Sequence, residues 1–381
     1  MPLNARCKAP LADGLNPRSH LAFIDGLRFI MALFVLLHHA WLTVWPDFGS
    51  QPTGYITYFA GWLLYGHFGV SVFIVISGFC LMMPVAQSGG VLKGGGRTFF
   101  TRRARRILPP YLFALLLSTA LIFTIIGQKT GTHWDVCLPL EKRSIVYLFL
   151  LNDIIPARSP NHAFWSIAVE CHIYLLFPIL ILYWRRYGAI AGVITTLLAG
   201  YSLGWLLKGS QFAGLTPHFA GLFALGMLGA YIVFAKDSRV AQSARQLNWG
   251  LITGLSLAAL ILLCLRWPLG VIFSRLPILD FPAGVTAMSL LISGVLTPNY
   301  LIVRFLGSRP LAFCGGFAYS IYLIHAPLLQ VFWQYVLHPY GLGRVETFWL
   351  LTLIGTPIIL GVCYMFYLCC ERPFLKYRAP V

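Results

Sequence analysis

Four residues with acid–base chemistry lie in the first hydrophobic segment of the chain, at Asp25, Arg28, His38 and His39. Charged groups are costly in a membrane-spanning segment, so their presence there usually marks a site. His39 follows Arg28 by eleven residues, close to three helical turns, which predicts that both side chains share one face. Asp25 can pair with Arg28 three residues later, whereas His38 points about 100° away. A structural ion pair and a structural histidine are the plainer alternative.

A second polar face begins the fourth hydrophobic segment, where Ser166, Glu170 and Tyr174 repeat every four residues. Glu170 is a carboxylate among apolar residues and therefore needs a partner. If successive segments cross in opposite directions, Glu170 and His39 both lie about 10 Å below the outer surface. We therefore predict that Glu170 orients His39, provided that their helices are neighbours. The alternative is that Glu170 bonds to a structural hydroxyl.

An arginine-rich loop is predicted after the second hydrophobic segment, with arginines at 102, 103, 105 and 106. Cytoplasmic loops favour positive residues, so part of this signal is topological. Four arginines in five residues exceed what orientation needs. Guanidinium groups bind phosphate in a bidentate manner, and we predict that Arg103 and Arg106 contact a phosphorylated cytosolic ligand. A purely topological role is the alternative.

Two further histidines and one serine are candidates in other segments. His67 lies near the predicted outer end of the second segment and could contact a polar substrate or lipid headgroups. His325 precedes Pro327 near the middle of the ninth segment, and both a structural and a functional role are open. Ser77 has no base near it in the sequence, so helix packing is favoured over a nucleophilic role. The nine cysteines form no CxxC pair, which predicts neither a disulfide nor a metal site.

The composition predicts an all-α, polytopic transmembrane helix bundle. The chain is 58% hydrophobic and 10% charged, which excludes a soluble domain of ordinary composition. The net charge of +17 is explained by membrane orientation and anionic lipid, so no nucleic-acid partner is expected. About ten segments can span a membrane. They lie at 22–46, 62–84, 107–127, 163–184, 188–207, 213–235, 249–267, 279–297, 315–337 and 347–369.

The distribution of Lys and Arg predicts the orientation. With a cytoplasmic N-terminus, 19 of the 28 Lys and Arg residues fall in inner segments and 8 in outer segments. This asymmetry predicts that both termini are cytoplasmic. Residues 1–21 are then a cytoplasmic tail, 22–370 the transmembrane domain and 371–381 a second cytoplasmic tail. The apolar stretch 145–151 is too short to span and is expected either to lie at the interface or to re-enter.

Five motifs in a fixed order resemble acyltransferase family three, the bacterial multi-pass O-acyltransferases that modify surface carbohydrates. They are Asp25-Gly-Leu-Arg28 followed by His39, Phe73-x-x-x-Ser77-Gly-Phe79, Arg103-x-x-Arg106-Ile-x-Pro109-x-Tyr111, Trp165-Ser166-x-x-x-Glu170 with Tyr174, and Ser320-Ile-Tyr-Leu-x-His325-x-Pro327. The resemblance covers about residues 20–375 and implies ten core helices. One departure, Cys171-His172-Ile173, affects the residues before Tyr174 and could alter the acceptor pocket.

The resemblance also implies roles for individual residues. It implies a cytoplasmic acyl-CoA donor, an external carbohydrate or lipid-linked acceptor, and essential roles for Arg28 and His39. We predict His39 and Glu170 as catalytic residues, and expect the donor to contact Arg28, Arg103, Arg106 and Tyr111. The acceptor or its pocket is expected at Asp25, His67, Trp165, Ser166, Tyr174 and His325.

The predicted protein is an O-acyltransferase of the bacterial cytoplasmic membrane. It uses acyl-CoA, with acetyl-CoA favoured, as a co-substrate and holds no permanent cofactor. Histidine suits the base that deprotonates a sugar hydroxyl, and direct transfer is favoured over an acyl-histidine intermediate. A transporter or flippase for a lipid-linked sugar or acyl donor is the main alternative. A non-catalytic partner of a polysaccharide assembly machine is a third possibility.

Overall fold

The computed structural model describes residues 21–47, 51–236, 238–267 and 269–375, and every regular element in these ranges is helical. The first eight helices are α1 (Ala22–Val44), α2 (Tyr55–Ala60), α3 (His67–Gln87), α4 (Gly95–Thr124), α5 (Trp165–Tyr187), α6 (Ala189–Leu206), α7 (His218–Phe234) and α8 (Arg239–Arg245). The others are α9 (Trp249–Arg266), α10 (Leu269–Leu296), α11 (Leu301–Leu306), α12 (Arg309–Gly315), α13 (Ala318–Phe332), α14 (Arg344–Leu350), α15 (Thr356–Phe366) and α16 (Arg372–Leu375). Nearly all of the predicted N-terminal tail, and residues 376–381 of the C-terminal tail, lie outside the described ranges.

Within the described ranges, nine helical segments are long and apolar enough to cross a membrane. They are Ala22–Val44, Tyr55–Gln87, Gly95–Thr124, Trp165–Tyr187, Ala189–Leu206, Ala213–Phe234, Trp249–Arg266, Ser274–Leu296 and Arg344–Leu375. A tenth results if Arg309–Gly315 and Ala318–Tyr340, which meet at a 70° bend, form one span. The prediction of an all-helical, multi-pass chain is therefore confirmed, with nine or ten spans.

The arginine run differs from its prediction because it is helical. It was expected in a loop before a span starting at residue 107, but α4 already begins at Gly95. Gly94 precedes the helix in the left-handed conformation, with φ of 80°. Arginine and alanine are good helix formers, so the polar run extends the apolar helix rather than ending it. The arginines consequently have fixed positions on a helix surface.

The connection between α4 and α5 contains short helical turns in place of a span. Its apolar stretch is the 3₁₀ helix Lys142–Phe149, which is too short to cross a membrane, as predicted. Ile145 and Phe149 are exposed on it. The rest of this connection packs over the bundle and supplies His133 and His162 to the site described below.

Two glycines allow α3 and α7 to pack with their backbones in close contact. A Cβ atom on Gly78 would lie 2.1 Å from the carbonyl oxygen of Phe223, and one on Gly226 would lie 2.0 Å from that of Val75. Neither position therefore accepts a side chain without separating the helices. Small residues of this kind are a common basis of helix association in membranes. This packing fixes the helix that carries Ser77 and His67.

The bundle has an arginine end and a histidine end. The arginine end is where α1 begins and where Arg28, Arg103 and Arg106 lie around one cavity. The histidine end is the opposite one, where His39 in the later part of α1 contacts His325 of α13. The two regions are separated by roughly three turns of α1.

Candidate active site

A cavity of about 300 Å³ opens at the arginine end, between α1, α3, α4, α5 and α13. It gathers seven of the predicted site residues, namely Asp25, Arg28, Arg103, Arg106, Ser166, Glu170 and Tyr174. Glu371, which the sequence analysis did not select, is a third carboxylate in the lining. Its hydroxyl partner is Ser320, whose Oγ donates to the carboxylate.

The charged groups of the cavity are only partly satisfied by one another. Arg28 donates to Asp25 at 2.8 Å, as predicted, and its other terminal nitrogen lies 3.3 Å from the sulfur of Cys80. Arg103 is different, because its Nε is buried and has no hydrogen-bond partner among the described residues. Burying a donor without an acceptor costs free energy of desolvation. An oxygen of an anionic ligand that reached this guanidinium would recover that cost.

An arginine groove lies next to this cavity. The groove encloses about 380 Å³, and Arg103 and Arg106 line both spaces. Its described lining residues are Arg97, Thr98, Thr101, Arg102, Arg103, Arg105, Arg106, Phe374 and Leu375. None of these is acidic, which makes the groove suitable for a ligand with several phosphates.

At the histidine end, four imidazole rings form a cluster. The centroid of the His39 ring lies 4.4 Å from that of His162 and 5.0 Å from that of His325. His133 completes the cluster, with its ring 4.8 Å from His162. His133 and His162 come from the connection before α5 and were not predicted, although His162 lies only three residues before the motif that begins at Trp165.

The hydrogen bonds of the cluster assign the tautomer of His39. Nδ1 of His325 lies 2.9 Å from the carbonyl oxygens of both Ile321 and Tyr322. Carbonyl oxygens only accept, so this nitrogen carries the proton and the Nε2 of neutral His325 is an acceptor. His39 must then donate from Nδ1 across its 2.7 Å contact with that Nε2. The remaining nitrogen of His39, Nε2, keeps a lone pair and can act as a base.

Two members of the histidine cluster, His133 and His162, lie outside the membrane-spanning helices and are uncharged near neutral pH. Burial lowers the pKa of His133 to about 4. The pKa of His162 is lowered well below its usual value, first by burial and then by the positive charges that His133 and His325 would carry. Their rings therefore place polar but neutral groups around His39.

The predicted pair of His39 and Glu170 is wrong, because the structure gives the two residues different partners. Glu170 accepts hydrogen bonds from Ser77 Oγ at 2.7 Å and from the hydroxyl of Tyr174. The hydroxyl partners correspond to the alternative that the sequence left open for Glu170. The role predicted for Glu170 at His39 is taken by His325, which follows it by 155 residues.

The depth at which α5 begins explains this error. Asn161 donates from Nδ2 to the carbonyl oxygen of Leu323 at 2.9 Å, so the chain before α5 reaches the middle of α13. The helix therefore starts inside the bundle, beneath the long connection. Glu170 lies five residues beyond Trp165, about 7.5 Å further towards the arginine end. Hydrophobicity does not reveal where a helix begins within the bundle, so the predicted depth of Glu170 was too close to that of His39.

Tyr111 also differs from its predicted role in donor binding. Its side chain is fully buried, and its hydroxyl donates to the carbonyl oxygen of Tyr147 at 2.7 Å. It follows Arg106 by five residues, about 140° around the helix, so it faces the connection and does not line the cavity. The arginine motif thus contributes two arginines to the cavity and one tyrosine to packing.

His67 belongs to a separate buried network around Asp280. The Asp280 carboxylate accepts from His67 Nε2 at 3.1 Å, His218 Nε2 at 3.0 Å and Ser71 Oγ at 2.5 Å. The ring of Trp165 is parallel to that of His67 at a centroid distance of 6.0 Å. Asp280 was not predicted as a site residue, although an acid within an apolar segment is the signal that would have found it.

We expect Asp280→Ala to destabilise the protein by about 3–5 kcal/mol, because it removes the shared acceptor of three buried donors. Thermal unfolding of the detergent-solubilised protein measures this loss. Glu141→Ala is the control, since it removes a half-exposed carboxylate that pairs with Arg158 and caps the 3₁₀ helix Lys142–Phe149, and it should cost about 1–2 kcal/mol. Equal unfolding temperatures for the two variants would contradict a central structural role for Asp280.

Comparison with known proteins places the chain in a family. The family model described as an acyltransferase domain matches residues 21–368. The chain therefore belongs to this acyltransferase family, and the resemblance drawn from its motifs is confirmed. No solved structure matches the chain.

Among curated proteins, the chain is similar to the O-acetyltransferase OatA of Staphylococcus aureus strain NCTC 8325 / PS 47. The two are 23% identical over 390 residues, which covers 95% of this chain and 58% of the relative. Nodulation protein 10 of Rhizobium leguminosarum bv. viciae is 26% identical over 259 residues, covering 62% of this chain and 66% of that protein. The chain thus spans less than two thirds of the length of these relatives.

Proposed function

We propose that this protein transfers an acetyl group from acetyl-CoA to a hydroxyl group of a surface or lipid-linked carbohydrate. One observation carries the proposal, namely that the arginine groove adjoins a cavity whose wall touches the histidine cluster through Tyr322. Tyr322 lines that cavity, and its ring centroid lies 6.0 Å from that of His325, which is not itself in the lining. The name of the relative OatA, an O-acetyltransferase, supports acetyl as the acyl group and a hydroxyl as the acceptor.

The donor fits this path in chemistry and in length. The pyrophosphate and 3′-phosphate of coenzyme A suit the arginine groove, whose lining includes Arg103 and Arg106. The pantetheine arm would then follow Val70, Phe73 and Ile74 through the cavity. Arg28 and His39 are about 16 Å apart along α1, a gap that this extended arm can bridge.

His39 is the general base of the proposed reaction. Its Nε2 takes the proton of the acceptor hydroxyl while the oxygen attacks the thioester carbon. The carbon–sulfur bond breaks as the ester bond forms, and the coenzyme A thiolate leaves. The hydrogen-bond partner of His39 is the neutral His325. Because this partner carries no negative charge, it does not stabilise a protonated His39 as a carboxylate would. We therefore propose direct transfer, in which His39 passes the proton on to the thiolate.

The proposed orientation places the arginine end in the cytoplasm and the histidine end outside a bacterial cytoplasmic membrane. The excess of Lys and Arg, 19 against 8, in the segments assigned to the cytoplasm supports it. Coenzyme A is a cytosolic metabolite, and a groove open to the cytoplasm would give it access. The acceptor then approaches His39 from the outer side.

Donor binding tests the proposal directly. The double variant Arg103→Gln/Arg106→Gln should bind acetyl-CoA about 10- to 100-fold more weakly than the unmodified protein, because it removes charge-assisted bonds. The difference should be larger at low salt, where screening is least. Isothermal titration of the protein in nanodiscs measures the affinity. The release of coenzyme A thiol on incubation with acetyl-CoA, with water taking the place of the acceptor hydroxyl, reports on chemistry.

Arg185→Gln/Arg186→Gln is the matched control, because these two arginines end α5 and do not line the groove. It should retain full acetyl-CoA affinity. An unmodified protein that neither binds acetyl-CoA nor releases its thiol would refute the proposed function. Binding without any thiol release would instead favour the transporter.

A further inference from the structure

Tyr322 connects the donor cavity to the histidine cluster. Its side chain lines the cavity, and its ring contacts the ring of His325 one turn later on α13. The same residue supplies one of the carbonyl oxygens that fix the His325 tautomer. Tyr322 is buried, so its hydroxyl acts in a site from which bulk water is excluded.

The hydroxyl of Tyr322 takes part in a short chain of hydrogen bonds. It donates to the carbonyl oxygen of Ala163 at 3.0 Å. The hydroxyl proton of Tyr322 is therefore engaged by the Ala163 carbonyl. Ser166 Oγ, which lies 2.6 Å from the tyrosine oxygen, must then donate to it. Ser166 thus strengthens the tyrosine as a donor. The Ala163 carbonyl lies just before the first turn of α5, one residue after His162 of the histidine cluster.

The other hydroxyls of the cavity are bonded away from this point. Tyr174 and Ser77 both donate to Glu170, towards the arginine end. Tyr319 donates to the carbonyl oxygen of Ile107 at 3.2 Å, on α4. Tyr322, supported by Ser166, is the cavity hydroxyl whose ring lies beside a member of the histidine cluster.

We propose that Tyr322 is the oxyanion donor of the acetyl transfer, an assignment that rests on the proposed function. When the thioester enters, the Tyr322 O–H turns from the Ala163 carbonyl to the thioester carbonyl oxygen. That oxygen gains negative charge as the acceptor oxygen bonds to the carbonyl carbon, and loses it as the carbon–sulfur bond breaks. The acceptor proton goes to His39 and then to the thiolate, while Tyr322 keeps its own proton.

Turnover of Tyr322→Phe tests the assignment. Loss of one oxyanion donor typically lowers kcat by about 10²- to 10³-fold, and we expect that loss in thiol release from acetyl-CoA with little change in acetyl-CoA affinity. Ser166→Ala should cause a smaller loss, because it removes only the support of the tyrosine oxygen. Tyr111→Phe is the matched control, because it removes a buried hydroxyl that donates to a backbone carbonyl outside the cavity, and it should retain turnover. Faster thiol release from Tyr322→Phe would overturn the assignment and indicate a plug between the two sites.

A spectroscopic measurement separates contact with the substrate from a merely structural role. Acetyl-CoA labelled with ¹³C at the carbonyl is bound to His39→Ala protein, in which the thioester remains intact. Isotope-edited infrared spectroscopy should show the thioester carbonyl band of bound acetyl-CoA at lower wavenumber than that of a thioester in a water-free solvent. The double variant His39→Ala/Tyr322→Phe should not show this shift.

The outcomes distinguish this assignment from the proposed function. An unchanged carbonyl band in the double variant overturns the role of Tyr322 but leaves acetyl transfer by His39 intact. Absence of acetyl-CoA binding to both proteins would overturn the assignment together with the function on which it rests.

Discussion

Replacing His39 with alanine should abolish acetyl transfer while leaving acetyl-CoA binding unchanged. A general base contributes about 10²- to 10⁴-fold to a rate, and the other histidines of the cluster have no equivalent position. His325 donates its Nδ1 proton to backbone carbonyls, and its Nε2 accepts from His39. Neither of its nitrogens is therefore left for the substrate. Thiol release and isothermal titration on the same preparation measure the two expectations separately.

His38→Ala is the control for this experiment. Nδ1 of His38 lies 2.8 Å from the carbonyl oxygen of Leu63, on the segment before α3, so the ring is bound on another face of α1. Its replacement should affect stability more than turnover per folded molecule. If His38→Ala were inactive and His39→Ala active, the assignment of the base and the helical-face argument behind it would both be wrong.

His325→Leu should lower kcat by about 10²- to 10⁴-fold with little effect on acetyl-CoA affinity. Leucine cannot accept the proton on His39 Nδ1, so the imidazole is free to take the other tautomer and to rotate. In the Ser-His-Asp triad, loss of the correct histidine tautomer costs about 10⁴-fold in kcat. The contact at risk is the 2.7 Å hydrogen bond between the two rings. Separate determination of kcat and KM for acetyl-CoA measures the effect.

His325→Gln distinguishes positioning from packing. The glutamine Oε1 can accept the proton from His39 Nδ1, so this variant should recover a substantial part of the turnover lost in His325→Leu. A structural role in the buried core of α13 predicts the opposite order, because leucine fits an apolar environment better than glutamine does. Equal kcat values for the two variants would rule out a hydrogen-bond role for His325.

These assignments change the role of Glu170 from that suggested by the sequence. With Ser77 and Tyr174 as its partners, Glu170 belongs to the donor cavity and not to the reacting centre. It lies among arginines that we propose to bind phosphates. Its position is consistent with holding the α3 and α5 walls of that cavity together.

Periodicity and composition alone determined the local features of this protein. The apolar runs predicted a multi-pass helical chain, because the bilayer demands about 20 apolar residues per helix. The ion pair of Asp25 with Arg28, and the different faces of His38 and His39, follow from 3.6 residues per turn. These features depend only on neighbours in sequence, so no knowledge of the packing was needed.

Only the tertiary structure decided which polar groups meet. His39 pairs with a histidine 286 residues away, and His67 with an aspartate 213 residues away. Such pairings depend on which helices are neighbours and on the depth at which each begins. The bilayer constrains neither, because lipid solvates every apolar helix face equally well. Small-residue contacts, such as those of Gly78 and Gly226, determine which helices are neighbours. The connection before α5 determines that this helix begins inside the bundle.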